Sequence, residues 1–173
     1  MSSKHNFKIN KINNNINDYE INKSAINLSI YICYYLRLTS KEHRKKLSEK
    51  LSVIFGSDFE AIPKTEQKYI ADNIKMKEGI AKNKALLENL FTIFSCVNAK
   101  VPLFIVGKPG CSKSLSVQLL FKSMNGENSD NPLFKTLPKL ISYSYQGSKA
   151  STSEGVLKIF KKENNYIKYE FKA

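Results

Sequence analysis

The chain has 173 residues, of which 42% are hydrophobic and 25% charged, and this composition excludes a wholly disordered protein. The formal net charge of +13 makes nucleic acid a conceivable partner. The lysines are scattered rather than clustered, however, so nucleic-acid binding is only a weak alternative. Three widely spaced cysteines fit neither a disulfide framework nor a zinc site. With no signal peptide or membrane span evident, we expect a cytoplasmic protein.

The first part of the chain is predicted to be a leader followed by helices. Residues 1–23 are rich in Asn and Lys and are expected to be flexible, whereas residues 24–78 are expected to form a helical segment. The apolar and aromatic run Ser24–Leu38 predicts a buried helix. Thr39 and Glu42 then have the spacing of a capping box, in which both side chains satisfy backbone donors at a helix start.

Further helices are predicted from their start and stop signals. One should run from about Ser40 to Val53 and end at Gly56, and a second should run over Pro63–Asn73. Asn83 is a favourable N-cap for a third helix over Lys84–Asn98. On that helix one apolar stripe recurs at three- and four-residue steps: Leu87, Leu90, Phe91, Phe94 and Val97.

After residue 100 the pattern changes to one that is typical of an α/β fold. Val101–Val106 is a short, continuous apolar run, which predicts a central strand of a parallel sheet. A helix should follow over Leu115–Met124, and Leu140–Tyr145 predicts a second strand. Ser151 and Glu154 form another capping pattern, which opens a last helix. This order of elements predicts the start of a parallel-sheet α/β domain preceded by a helical segment.

The segment between the first predicted strand and its helix, Gly107–Ser114, is typical of a phosphate-binding loop. Gly107 and Gly110 permit turns that point backbone amides inward, where they can bind phosphate oxygens. The loop leads into a helix N-terminus, which favours an anion. Lys113 would place a positive charge on the outer phosphates, and Ser114 would offer its hydroxyl to a magnesium ion.

One position departs from the usual motif, because Ser112 stands where the consensus has glycine. The alternative interpretation is an ordinary strand-to-helix turn that happens to contain two glycines and a Lys-Ser pair. We predict no catalytic residue in this chain. The predicted nucleotide-binding residues are Gly107, Lys108, Pro109, Gly110, Cys111, Ser112, Lys113 and Ser114.

The stretch Gly79–Ser116, with its phrases ALLENLF and GKPGCSKS, resembles the AAA+ core of the mysterin-type family of giant RING ubiquitin ligases. Supporting likeness lies at Ile30–Leu38, Leu133–Gln146 and Ser151–Phe160. That family's loop also carries Lys-Pro-Gly before a small residue, so the absent glycine is a point of similarity. The resemblance implies that residues 79–162 form the N-terminal part of a P-loop NTPase (AAA+) domain. It also implies ATP and Mg²⁺ as ligands, and other AAA units of the same ring as partners.

Several parts of a complete AAA+ ligase are missing from the sequence. No apolar run ending in Asp-Glu follows Ser114, no arginine follows Arg44, and RING cysteines are absent. We therefore expect a fragment that binds ATP but does not hydrolyse it alone, with residues 163–173 as an unassigned tail. The alternatives left open are a non-catalytic interaction or scaffold fragment and, with less support, a basic nucleic-acid-binding protein.

Overall fold

The computed structural model describes residues 18–141, 145, 147–159 and 161. Most of the predicted leader, the middle of the second predicted strand and the predicted tail lie outside these residues. The chain divides into two compact units, Met1–Val117 and Gln118–Ala173. The α-helices in chain order are α1 (Asp18–Ile30), α2 (Lys41–Phe55), α3 (Ala61–Asn73), α4 (Lys84–Ala99), α5 (Lys113–Ser123) and α6 (Pro132–Lys135). A π-helical turn at Tyr31–Tyr35 extends α1, Gly126–Asn128 form a 3₁₀ turn, and residues 153–159 are helical.

The helix ends show which capping predictions hold. Asn83 caps α4 as expected, because its side-chain oxygen accepts a hydrogen bond of 2.9 Å from the Leu86 amide. Gly56 ends α2 in the left-handed region at φ +66°, also as expected. The N-cap of α2 lies one residue later than predicted, since the hydroxyl of Ser40 rather than Thr39 accepts from the backbone.

The core of the first unit contains an aromatic cluster formed by the π-helical turn, the loop before α3 and α4. Tyr31 and Tyr35 stack at a centroid distance of 4.8 Å, and Phe59 and Phe91 lie 6.2 Å from the Tyr31 ring. These pairs gain energy from ring geometry as well as from burial. The stripe on α4 is buried largely as its periodicity predicts, through Leu86, Leu90, Phe91, Ile93, Phe94 and Cys96. α4 thus contributes these six side chains to the buried core of the unit.

Arg44 of α2 connects α4 to the residues that follow the π-helical turn. Its guanidinium forms hydrogen bonds of 2.9 and 3.2 Å to both carboxylate oxygens of Glu88 on α4. The same side chain donates to the carbonyls of Leu36 and Leu38 at 3.1 and 2.7 Å. It also lies over the ring of Tyr35 at 5.2 Å. One side chain therefore binds two carbonyls that follow the π-helical turn and also holds Glu88 in the second turn of α4.

In the second unit, the segment after α5 folds back through tight turns. The Leu140 amide donates to the Met124 carbonyl at 2.9 Å, and the Ser129 hydroxyl accepts from the Asn125 amide at 2.9 Å. Gly126 has φ +59°, and a Cβ there would lie 3.3 Å from the Lys139 side chain. Both the backbone conformation and the limited space favour glycine over a residue with a side chain at this turn.

The prediction of an α/β fold with a parallel sheet is wrong for the part of the chain that the structure describes, which contains helices and no strand. Val101–Val106 has no regular secondary structure, and Phe104 and Val106 are 92% and 94% exposed. The Val101 amide is used to close α4, where it donates to the Cys96 carbonyl beside Lys100 at φ +57°. An apolar run forms a strand only when a neighbouring strand pairs its backbone, and hydrophobicity alone does not supply that partner.

None of the described helices is both long enough and apolar enough to cross a bilayer.

Candidate functional site

The predicted loop Gly107–Ser114 directly precedes a helix. α5 begins at Lys113, so the lysine and serine at the end of the motif occupy the first turn of that helix. Residues 107–110 and Ser114 are exposed, whereas residues 111–113 are half-buried. The eight predicted residues therefore form one accessible turn at a helix N-terminus, where free amides and the helix dipole favour an anion.

Along this turn, residues with positive φ alternate with residues outside the positive-φ region. Gly110 has φ +86° and Ser112 has φ +56°, whereas Cys111 and Lys113 are outside the positive-φ region. Residues of alternating hand direct successive N–H groups to the same side of the chain, which makes a concave anion-binding nest. The nest spans residues 110–113 and leads without a break into α5. In other proteins, turns of this form bind anions through backbone amides.

The Lys113 ammonium lies across the same turn. Its Nζ donates to the carbonyl oxygens of Gly107 and Lys108 at 2.6 and 2.7 Å. These bonds close the loop from its first residue to the start of α5. An ammonium group has three donors, and no contact within the described residues uses the third. The ammonium therefore keeps one donor that neither of these two loop contacts uses.

Ser112 occupies a backbone conformation that usually requires glycine. Non-glycine residues rarely adopt φ near +56°, since the Cβ then approaches the following carbonyl. The Ser112 carbonyl accepts from both the amide and the hydroxyl of Ser116, at 2.9 and 2.7 Å. Ser116 is fully buried. The start of α5 therefore fixes one side of Ser112 and helps to maintain its strained conformation.

Asn89 is a residue of this site that the sequence analysis did not identify. Its Nδ2 donates to the Cys111 carbonyl at 2.8 Å, and thus joins α4 to the loop across 22 positions of sequence. Asn89 belongs to the phrase ALLENLF, but nothing in its local spacing indicates a role in the loop. Only the packing of α4 brings the two groups together.

Ser114 lies on the exposed side of the first turn of α5. No hydrogen bond within the described residues occupies its hydroxyl. The described part of the chain also has no group of three or more His, Cys, Asp or Glu residues that could hold a metal ion. A metal at this loop would therefore have to take most of its ligands from a bound molecule and from water.

Comparison with known proteins assigns the chain to a family. The sequence profile described as the RNF213 AAA domain matches residues 79–172, which is more than half of the chain. The chain is 35% identical over 140 residues to the E3 ubiquitin-protein ligase rnf213-beta of Danio rerio, and this match covers 78% of the chain. It is 32% identical over 141 residues to the E3 ubiquitin-protein ligase RNF213 of Homo sapiens, with 79% of the chain covered. The Mus musculus protein of that name is 31% identical over 137 residues, which is 78% of the chain.

The matched region is about 3% of the length of each of these relatives. The similarity therefore concerns one AAA region and says nothing of the rest of each ligase. The profile covers the whole candidate loop and also α4, which holds it. The resemblance to mysterin-type ligases is confirmed, and the chain belongs to the RNF213 AAA domain family.

Proposed function

We propose that the chain binds ATP together with Mg²⁺ through the loop Gly107–Ser114, as part of an AAA module. The observation that carries this proposal is the turn at residues 110–113, in which positive φ alternates and which leads into the N-terminus of α5. The Lys113 ammonium is bound to the same loop. A triphosphate carries several negative charges, and this turn offers amides, a helix dipole and a cation in one place.

Each part of the loop has its own role in this proposal. The amides of Gly110, Cys111, Ser112 and Lys113 bind phosphate oxygens, and the Lys113 ammonium contacts the outer phosphates. The Ser114 hydroxyl is a ligand of Mg²⁺, whose other ligands are phosphate oxygens and water. The exposed, uncommitted Ser114 hydroxyl fits this role, because Mg²⁺ commonly takes only one or two protein ligands.

We further propose that the 173-residue chain binds ATP without hydrolysing it. Hydrolysis needs an acidic residue that completes the magnesium site and a group that orients the attacking water. In the sequence after Ser114, the carboxylates occur in turns, at a helix start or among lysines, and none follows an apolar run. Asp130 and Glu154 are examples of the first two cases.

The test is a thermal-melting titration of the purified chain with Mg²⁺ and ATP. A ligand that binds only the folded state raises its stability by about 2.7 kcal/mol at a concentration of 100 Kd. We expect the wild type to show this rise and Lys113→Ala to lose most of it. Lys122→Ala is the control, because Lys122 is an exposed lysine in the last turn of the same helix. An equal rise in Lys113→Ala, or none in the wild type, would contradict the proposal, and steady phosphate release would contradict the absence of hydrolysis.

A second candidate is a non-catalytic interaction unit. The exposed apolar run that contains Phe104 and Val106 favours it, because such side chains gain energy when a partner covers them. The relatives are named E3 ubiquitin-protein ligases. We propose that in a full-length protein the run contacts other AAA units of a cytoplasmic ubiquitin ligase. This role requires no nucleotide, so the melting titration separates it from ATP binding.

The basic net charge leaves nucleic acid as a minor alternative partner. Binding of that kind predicts an affinity for oligonucleotides that falls steeply with salt concentration. We expect no such affinity from this chain.

A further inference from the structure

We propose that Asn89 is a positioning residue for the loop, and that it keeps the Cys111–Ser112 peptide turned so that the Ser112 amide faces the phosphates. This inference rests on the proposed ATP binding and names a residue that controls it. Asn89 acts through the backbone of Cys111, to which its Nδ2 donates at 2.8 Å. It does not itself contact the ligand in this proposal.

The orientation follows from the geometry of the peptide bond. The described part of the chain has no cis peptide, so the carbonyl of Cys111 and the amide of Ser112 point in opposite directions. Asn89 draws the carbonyl towards α4, and the Ser112 amide is thereby directed away from α4. α4 is itself fixed beside this position, since its neighbouring residue Glu88 is bound by Arg44.

The identity of residue 112 explains why such a hold is needed. Reversal of the Cys111–Ser112 peptide would change φ of Ser112 by about 180°, from +56° to about −124°. That value lies in the extended region that L-residues prefer, so a serine here favours the reversed peptide. The reversed peptide would present the Cys111 carbonyl, rather than an amide, to the phosphates. Asn89 opposes this reversal because it binds the Cys111 carbonyl on the side of the loop that faces α4, away from the proposed phosphate site.

A glycine at position 112 would remove the preference for reversal, because glycine adopts positive and negative φ with similar ease. The dependence on Asn89 should therefore be strong with the native Ser112 and weak in the Ser112→Gly variant. This coupling distinguishes a positioning role from a general contribution to folding. A residue that merely stabilised the fold would be equally important in both backgrounds.

The experiment measures the Kd for ATP with Mg²⁺ by isothermal titration calorimetry. The wild type is compared with Lys113→Ala, Asn89→Ala, Asn98→Ala, Ser112→Gly and the double variant Asn89→Ala/Ser112→Gly. We expect Asn89→Ala to weaken binding about tenfold, by loss of one hydrogen bond and partial reversal of the peptide. Asn98→Ala is the matched control, because Asn98 also lies on α4 and donates to a carbonyl at 2.8 Å, but that carbonyl is on its own helix, at Phe94. This control should bind ATP like the wild type. In the Ser112→Gly background, Asn89→Ala should weaken binding by about threefold or less.

Each outcome decides between the two proposals. If the wild type binds ATP, Lys113→Ala does not, and Asn89→Ala matches Asn98→Ala, the positioning role is refuted while the proposed function stands. An equal loss in the wild-type and Ser112→Gly backgrounds also refutes it, because the effect is then one of stability alone. If the wild type fails to bind ATP, the proposed function fails and this inference with it. Asn89→Leu, which has a similar branched shape and no donor, decides the question if Asn89→Ala does not fold.

Discussion

Replacement of Arg44 by alanine tests whether one side chain fixes α4 in the first unit. The substitution removes the hydrogen bonds to both carboxylate oxygens of Glu88 and to the carbonyls of Leu36 and Leu38. It also removes the contact with the Tyr35 ring. The pair is largely shielded from water, with 20% of the Arg44 side chain and 13% of the Glu88 side chain exposed. It therefore differs from an ordinary surface ion pair, which contributes between about 0 and 1 kcal/mol.

The expected loss of stability depends on the groups that lose their partner, which are the Glu88 carboxylate and the two carbonyls. Loss of one partner from a fully buried ion pair costs about 3–5 kcal/mol, and the partial exposure here reduces that to about 2 kcal/mol. Lys84, at 3.7 Å from Glu88, compensates a part of the lost charge. The two carbonyls lose partners at about 0.5 kcal/mol each, because water reaches them in part. We expect the free energy of unfolding to fall by about 3 kcal/mol.

The measurement is urea denaturation followed by circular dichroism. Arg37→Ala is the control, because Arg37 is the other arginine of the chain and is exposed. It should change the free energy of unfolding by less than about 0.5 kcal/mol. Arg44→Lys retains the charge but not the planar group and should lose about half as much as Arg44→Ala. An Arg44→Ala variant within about 1 kcal/mol of Arg37→Ala would refute the reasoning.

Two further predictions concern single residues. Burial raises the pKa of the Glu66 carboxyl above that of the unfolded chain, so ionisation of Glu66 costs the folded state free energy. Stability should therefore fall as pH rises through the interval between the two pKa values, and Glu66→Gln should lessen that fall when urea denaturation is repeated at a series of pH values. At Ser112, glycine relieves the strain of positive φ but loses more backbone entropy on folding, so Ser112→Gly should change stability by no more than about 0.5 kcal/mol. Ser112→Val should destabilise by about 1–2 kcal/mol in urea denaturation, and a valine variant as stable as the wild type would contradict the strained backbone.

Local signals in the sequence predicted the helices well, because a cap is decided by a few neighbouring residues. Asn83 and Gly56 perform the roles that their chemistry predicts. Caps formed by serine or threonine were misplaced by one position, because either of two adjacent hydroxyls can accept the hydrogen bond that caps a helix. At α2 the cap is Ser40 rather than Thr39, and at residues 153–159 the Gly155 amide bonds to Thr152 while Ser151 instead accepts from Ser148.

The predicted sheet failed for a reason that lies outside local sequence. Val101–Val106 has the composition of a buried strand, but burial and pairing depend on what other elements lie beside it. The contacts of Arg44 and Asn89 were missed for a similar reason, because each joins groups 22 or 44 positions apart. The turn and helix start at Gly107–Ser114 agree with the motif, and the nucleotide-binding roles of these residues remain predictions that the Lys113→Ala experiment tests.

The π-helical turn at Tyr31–Tyr35 makes the first helical region unusually sensitive to chain length. The Leu36 amide bonds to the Tyr31 carbonyl five positions earlier, so this turn contains one residue more than an α-helical turn. Deletion of one residue here would restore the α-helical pitch and rotate everything before it by about 100° about the axis. Asn27, whose side chain donates to the Phe59 carbonyl, would then face away from Phe59. The aromatic core therefore depends on the number of residues between Asn27 and Leu36, and not only on which residues occupy those positions.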